Sequence, residues 1–152
     1  MNSITTPVGT EPASGLPDTR ISVRQNFGID SDMEAPAYSL SFAAGRVVPT
    51  NSADTLADGM ATRVPDEEAL AVIRRGVARF VLVSDAEIAD AIRAYWTDTH
   101  NLAEGAGAAP LAAAVQEKQR LAGKKIGLVL SGGNIDFDLF KSWVVGPEEN
   151  RR

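Results

Sequence analysis

An α/β fold, a parallel sheet with helices on its faces, is predicted by three features of this 152-residue chain. Helical and strand-like apolar patterns alternate along it from residue 65 onward, the arrangement in which helical crossovers bring strands side by side in parallel. Alanine supplies 23 of the residues, which favours helices packed hard against their neighbours. The length suits one domain, and 44% hydrophobic with 23% charged residues suits a chain that buries a core.

Residues 1–27 are rich in Thr, Ser, Pro and Gly, with Thr6-Pro7, Glu11-Pro12 and Leu16-Pro17, and follow neither period. An irregular or disordered leader is expected there. Residues 35–45 predict a short helix, since Pro36 suits a first turn and Gly45 a stop. After the polar stretch Thr50-Asn51-Ser52, Ala57-Asp58-Gly59 reads as a turn in which Gly59 supplies a positive φ. Pro65-Asp66-Glu67-Glu68 puts proline and acids in the first turn of a helix whose apolar face is Leu70, Ile73 and Val77, with Gly76 as its end.

Arg79-Phe80-Val81-Leu82-Val83 is β-branched and aromatic and predicts a buried strand. Ser84 with Glu87 forms a capping box ahead of a helix running to Thr97. A Gly/Ala-rich helix is expected over residues 105–120, then a second buried strand over residues 125–130, ending in Ser131-Gly132-Gly133-Asn134.

Composition excludes several chemistries. A net charge of -5, with no Lys/Arg cluster longer than a pair, lacks the footprint of a nucleic-acid binder. With no cysteine there is no disulfide, thiolate catalysis or cysteine-held zinc. His100 is the only histidine, so a multi-histidine metal site is ruled out. Its polar context, Asp98-Thr99-His100-Asn101, predicts a solvent-facing or locally bonded ring. The first 15 residues carry no secretory pattern and no apolar run is long enough to span a bilayer, so a cytoplasmic location is expected. Trp96 and Trp143 are expected to pack, and Glu67-Glu68 to serve the helix start.

Three features bear on function. Ser131-Gly132-Gly133-Asn134 follows the carboxyl end of the second expected strand, where ligands of parallel sheets gather and glycines let backbone N–H groups come close. Glu104-Gly105-Ala106-Gly107 opens a helix with small residues after a carboxylate, which suits either a ligand or tight packing. Asp58-Gly59 is the third. Alone, the first and third also fit ordinary turns and the second fits tight packing.

In order, Ala53-Asp54-Thr55-Leu56-Ala57-Asp58-Gly59, Val81-Leu82-Val83-Ser84-Asp85-Ala86-Glu87-Ile88, Ala103-Glu104-Gly105-Ala106-Gly107-Ala108 and Gly123-Lys124-Lys125-Ile126-Gly127-Leu128-Val129-Leu130-Ser131-Gly132-Gly133-Asn134-Ile135-Asp136 resemble the C-terminal half of threonine dehydratase. That enzyme is one of the fold-type II pyridoxal-phosphate enzymes, which include serine racemase and share a tryptophan synthase β-like fold. The likeness runs from about Gly28 to Asp136. It implies a partial parallel sheet flanked by helices, a large-domain half over residues 28–136 and a C-terminal tail over residues 137–152.

The resemblance also implies pyridoxal phosphate as cofactor and β-elimination from L-threonine or L-serine to a 2-oxo acid and ammonia. It places the Ser131 hydroxyl at the pyridine nitrogen, Gly132 and Gly133 at the ring edge with Asn134 in the same loop, Glu104 beside the cofactor, and Asp58 and Gly59 along the same cleft. Two family features are missing: a Schiff-base lysine in a Ser-x-Lys-x-Arg-Gly-Ala-like motif and a glycine-run phosphate loop. The four lysines, Lys118, Lys124, Lys125 and Lys141, have other contexts.

Family acids that hold a metal align with Ser31 and Ala37, leaving Asp32 and Glu34 off register, so no metal site is expected. The 16 residues after Asp136 are too few for a regulatory domain. The expectation is therefore a fragment without a catalytic residue of its own, inactive alone, that would need an amino-acid substrate and either a second copy or a complementing N-terminal half. The alternatives are a non-catalytic remnant or partner-binding half-domain, or a piece of a racemase or hydroxyaspartate dehydratase of the same family.

Overall fold

The computed structural model describes residues 26–31 and 36–145. Its sheet has two parallel strands among the described residues, β1 (Asn26–Ser31) and β2 (Val77–Val83), with Gly28 opposite Phe80 and Ser31 opposite Val83. β2 forms where the β-branched run predicts it, and Val81 and Val83 turn inward as alternation along a strand requires. No local pattern predicts β1, which opens at Asn26, ahead of Gly28. Its bulge lies between Asn26 and Gly28. A Cβ on Gly28 would stand 2.7 Å from the Phe80 ring, so the missing side chain is what lets that ring lie across the partner strand. The Phe42 ring also lies against Phe80, the centroids 5.3 Å apart.

Helix α1 (Ala37–Ala44) begins after Pro36 and ends where Gly45 adopts φ 71°, a left-handed cap open to glycine. Val48 donates its N–H to the buried Ser41 hydroxyl at 2.9 Å, folding the following loop back on α1. Ser39 donates its N–H to Asp30 at 2.9 Å, tying α1 to the end of β1. Helix α2 (Glu67–Gly76) is capped by Asp66, which accepts from the Ala69 N–H at 2.8 Å, and its acids occupy the positive end of the helix dipole. Helix α3 (Asp85–Ala94) starts with the capping box, Ser84 Oγ accepting from the Glu87 N–H while Glu87 accepts from the Ser84 N–H.

A π-helical turn, Tyr95–Thr99, extends α3. There the Thr97 and Thr99 hydroxyls donate back to the carbonyls of Arg93 and Tyr95. The turn stops at His100, an exposed ring in left-handed conformation beside the Trp96 carbonyl, as the polar context predicts. Helix α4 (Gly105–Gln116) buries Ala108, Ala109, Ala112, Ala113 and Ala114 and lies along α3, whose Ile88 and Ile92 are completely buried. Short side chains on one helix and branched ones on the other give the core of the molecule, and Val81 and Val83 of β2 close it from the sheet side. The expected helix to residue 120 is broken at Glu117, after which α5 (Lys118–Leu121) makes one more turn. The Glu117 side chain pairs with Arg79 of β2.

Residues 125–130 are not a buried strand. They form no regular structure, and Val129 is 73% exposed. A strand exists through hydrogen bonds to a neighbour, and neither strand of the sheet pairs with this segment. Beyond it, α6 (Phe137–Phe140) is capped by Asp136, and a π-helical turn, Lys141–Val145, returns to α3. The return is held by Arg93, which donates to the Trp143 carbonyl, and by an edge-on contact of Trp96 with Phe140. Of the expected leader, residues 26 and 27 belong to β1 instead, while residues 1–25, Asp32 and Glu34, and the tail beyond Val145 lie outside the described residues.

Truncating Ile92 to Ala should destabilise the chain by about 2–5 kcal/mol, because the rigid α3–α4 contact cannot close the hole. Val72→Ala, at a position 59% exposed on α2, should change stability by less than about 0.5 kcal/mol. Urea unfolding midpoints of the two variants check the difference.

Candidate functional site

The three features singled out in the sequence converge at the first turn of α4. Asp58–Met60 is a 3-10 turn; Asp58 is exposed, and the Met60 N–H donates to the Ala57 carbonyl at 2.7 Å. Gly59 does not have the positive φ expected of it: among the described residues only Gly45, Gly123 and His100 do. It is glycine-sized for another reason, since a Cβ there would lie 2.8 Å from the Ala106 Cβ. Gly105 meets Ala57 in the same way, at 2.8 Å. Small residues on both sides thus let the Asp58-Gly59 turn rest on α4.

The 131–134 loop reaches the same helix end from the other side. The Glu104 N–H donates to the Gly132 carbonyl at 3.0 Å, so the residue that precedes α4 is bonded to the loop backbone. A Cβ on Gly107 would stand 2.5 Å from that same carbonyl oxygen, and one on Gly133 would stand 2.6 Å from the Leu102 carbonyl. At Gly132 a Cβ would run into the Glu104 carboxylate, 2.9 Å from its Cδ. The glycines expected to clear space at a ring edge are therefore also what lets the two stretches of backbone touch. Gly107, part of the small-residue stretch singled out from sequence, belongs to this contact, and so does Leu102, which nothing local marks.

What the loops hold out is polar and unengaged. The Ser131 hydroxyl and Asn134 amide are presented at the loop, the Glu104 carboxylate is half-buried, and none of them, nor the Asp58 carboxylate, has a side-chain hydrogen bond or ion pair among the described residues. None of the three stretches contains a lysine or arginine; Lys124 and Lys125 sit at the far end of the 125–130 segment from Ser131. An alcohol, an amide and two carboxylates beside close-packed glycines offer hydrogen-bond donors and acceptors together with negative charge. They supply no amine nucleophile and no cluster of backbone amides from a glycine run. Among the described residues no group of three or more metal-ligating side chains occurs.

A separate groove of about 570 Å³ lies between α3 and α4 and shares no residue with these loops. It is lined by Ala91, Leu111 and Leu128 among others, and burial raises the pKa of the Tyr95 phenol that also lines it.

Residues 13–132 match the family model for pyridoxal-phosphate dependent enzymes, a match that takes in residues ahead of Gly28. The chain is 45% identical over 125 residues to an L-threonine ammonia-lyase of Geobacter sulfurreducens, covering 82% of this chain and 30% of that protein. It is 33% identical over 123 residues to an L-threo-3-hydroxyaspartate ammonia-lyase of Saccharomyces cerevisiae, covering 81% and 37%. The solved structure of a threonine deaminase from T.th. superposes with a TM-score of 0.69 at 32% identity, over 75% of this chain and 41% of that one. The chain thus spans well under half the length of the relatives it matches.

If the glycines serve backbone contact, Gly107→Ala and Gly133→Ala should each destabilise by about 1–3 kcal/mol, although alanine is otherwise the better helix former at residue 107. Gly127→Ala, with nothing within 4 Å of the added carbon, should be neutral. Chemical denaturation of the three variants separates the cases.

Proposed function

From the premise that this chain belongs to the pyridoxal-phosphate dependent enzyme family, we propose that it forms the ring-side wall of the cofactor site of an L-threonine or L-serine dehydratase. The observation that carries the reading is the bond of the Glu104 N–H to the Gly132 carbonyl at 3.0 Å, which brings Glu104 to the loop that carries Ser131, with neither side chain hydrogen-bonded or ion-paired among the described residues. When bound, pyridoxal phosphate supplies an electron sink that eases loss of a proton and then of a β-hydroxyl from an amino acid.

The residues of this chain would hold and orient. Ser131 would donate its hydroxyl proton to the ring nitrogen; a neutral alcohol leaves that nitrogen unprotonated and so moderates electron withdrawal. Gly132 and Gly133 keep the loop thin beside the ring, and Asn134 offers an amide at its end. Glu104 and Asp58, with Gly59, would line the cleft with negative charge, suited to the ammonium of an amino-acid substrate. The anchoring lysine and the phosphate-binding glycine run are assigned to another polypeptide segment, whether a complementing N-terminal half or a second chain. Threonine or serine is put ahead of hydroxyaspartate on the 45% against 33% identity of the two relatives.

A partner-binding role without catalysis is favoured by one observation, the exposed apolar side chains of Ile126 and Val129 on a segment that pairs with no strand among the described residues. Such a surface should make the isolated chain self-associate, and sedimentation showing a dispersed monomer would count against it. A cytoplasmic setting without a membrane partner is part of the proposal; no helix of the described residues is long and apolar enough to cross a membrane.

The purified chain with pyridoxal phosphate should form no detectable 2-oxo acid from L-threonine, L-serine or L-threo-3-hydroxyaspartate. Adding a polypeptide that carries the lysine motif and glycine run should restore formation of 2-oxobutyrate or pyruvate. In the restored enzyme Ser131→Ala should lower kcat by about tenfold to a hundredfold, the loss of one hydrogen bond to a ring nitrogen, while Ser131→Thr keeps most of it. Turnover by the chain alone would sink the assignment of the lysine elsewhere.

A further inference from the structure

We propose that Asp85 is a positioning residue for the site: its carboxylate straps down residues 55–57 and thereby holds the Asp58-Gly59 turn against the first turn of α4. The bearing of this strap on a cofactor rests on the reading given above; the strap itself does not. Asp85 stands in the first turn of α3, where an acid is ordinarily explained by the positive end of the helix dipole. That explanation does not account for where its oxygens go. The capping bonds of α3 are made by Ser84 and Glu87. Both Asp85 oxygens face a segment distant in sequence: Oδ1 accepts from the Thr55 hydroxyl at 2.7 Å and Oδ2 from the Leu56 N–H at 3.0 Å.

The connection continues toward the site. Thr55 Oγ1, having donated its proton to Asp85, accepts the Ala57 N–H at 3.1 Å. Ala57 is only 1% exposed, because its methyl group fills the place a Cβ on Gly105 would take. Its carbonyl closes the 3-10 turn that carries Asp58 and Gly59. Hydrogen bonds through Thr55 and a close contact at Ala57 therefore link the carboxylate to the start of α4. The bonds to the carboxylate are charge-assisted, the strong kind, and residues 53–57 form neither helix nor strand that would fix this stretch in their absence.

The test uses three variants of the full chain. Asp85→Asn keeps an oxygen for Thr55 but turns an amide toward the Leu56 N–H; Thr55→Val removes the hydroxyl without touching α3; Thr55→Ser restores it. Amide hydrogen exchange should quicken about tenfold at Leu56 in Asp85→Asn and at Ala57 in Thr55→Val, the amide whose acceptor each change disturbs, and stay near wild type in Thr55→Ser. Unchanged exchange in Thr55→Val would overturn the strap and leave Asp85 a helix-dipole residue. Pyridoxal phosphate titrated against tryptophan fluorescence, with the lysine-bearing polypeptide present, gives the second readout. The first two variants should weaken binding about tenfold and Thr55→Ser should not; equal affinity in all three would overturn the link to the site. If the wild-type complex binds no pyridoxal phosphate, the cofactor reading fails and the exchange result alone decides the strap.

Discussion

The geometry of the site depends on how closely the backbone of residues 131–133 approaches the first turn of α4. One hydrogen bond, Glu104 N–H to the Gly132 carbonyl at 3.0 Å, joins them, and it forms only because Gly107 has no side chain to hold that carbonyl away. Behind this contact the packing is rigid. Ile88 and Ile92 of α3 sit against Ala108, Ala109, Ala112 and Ala113 of α4, so the helix cannot shift to relieve a misplaced loop. Position is thus passed from the core to the loops through small residues, and the polar groups of Ser131, Asn134 and Glu104 inherit it.

The same economy of side chains explains an asymmetry in the fold. Where two elements meet, one contributes almost nothing: Gly28 under Phe80, Gly59 and Gly105 against Ala106 and Ala57, Gly133 against Leu102. By contrast, in the stretch 126–130, rich in branched apolar side chains, Ile126 and Val129 stay exposed, since the sheet is made by β1 and β2 alone among the described residues. Apolar side chains decide that a segment is suited to a strand. Hydrogen-bonding neighbours decide whether it becomes one.

That distinction also divides what is legible in the sequence from what is not. The Ser84–Glu87 capping box, the Gly45 stop, the acids opening α2 and the alanine face of α4 are determined by residues within a turn or two of each other, and the structure has them all. Strand pairing is settled between segments far apart in the chain, so β1 carries no local mark and residues 125–130 look like part of a sheet they do not join. At the site, the residue types are legible, but the reason for the glycines is not. A turn reading assigns Gly59 to its φ, whereas it serves by being small beside Ala106. Asp85 has the sequence position of a helix-start acid, yet its oxygens bond to Thr55 and Leu56, a pairing no local pattern announces.

Charge then bears on what the three loops can accept. They carry the carboxylates of Glu104 and Asp58 with no lysine or arginine among them, on a chain whose net charge is -5. A phosphate group carries about -1.5 to -2 charge at neutral pH and would be repelled here, particularly near the half-buried Glu104, where water screens less. A neutral or electron-poor ring edge beside Ser131, and a cationic ammonium beside the carboxylates, meet no such penalty. On the proposed reading, therefore, the cofactor is divided by charge as well as by sequence. Its ring faces this chain, while its phosphate and its amine anchor require a surface with backbone amides and a lysine that these loops do not offer.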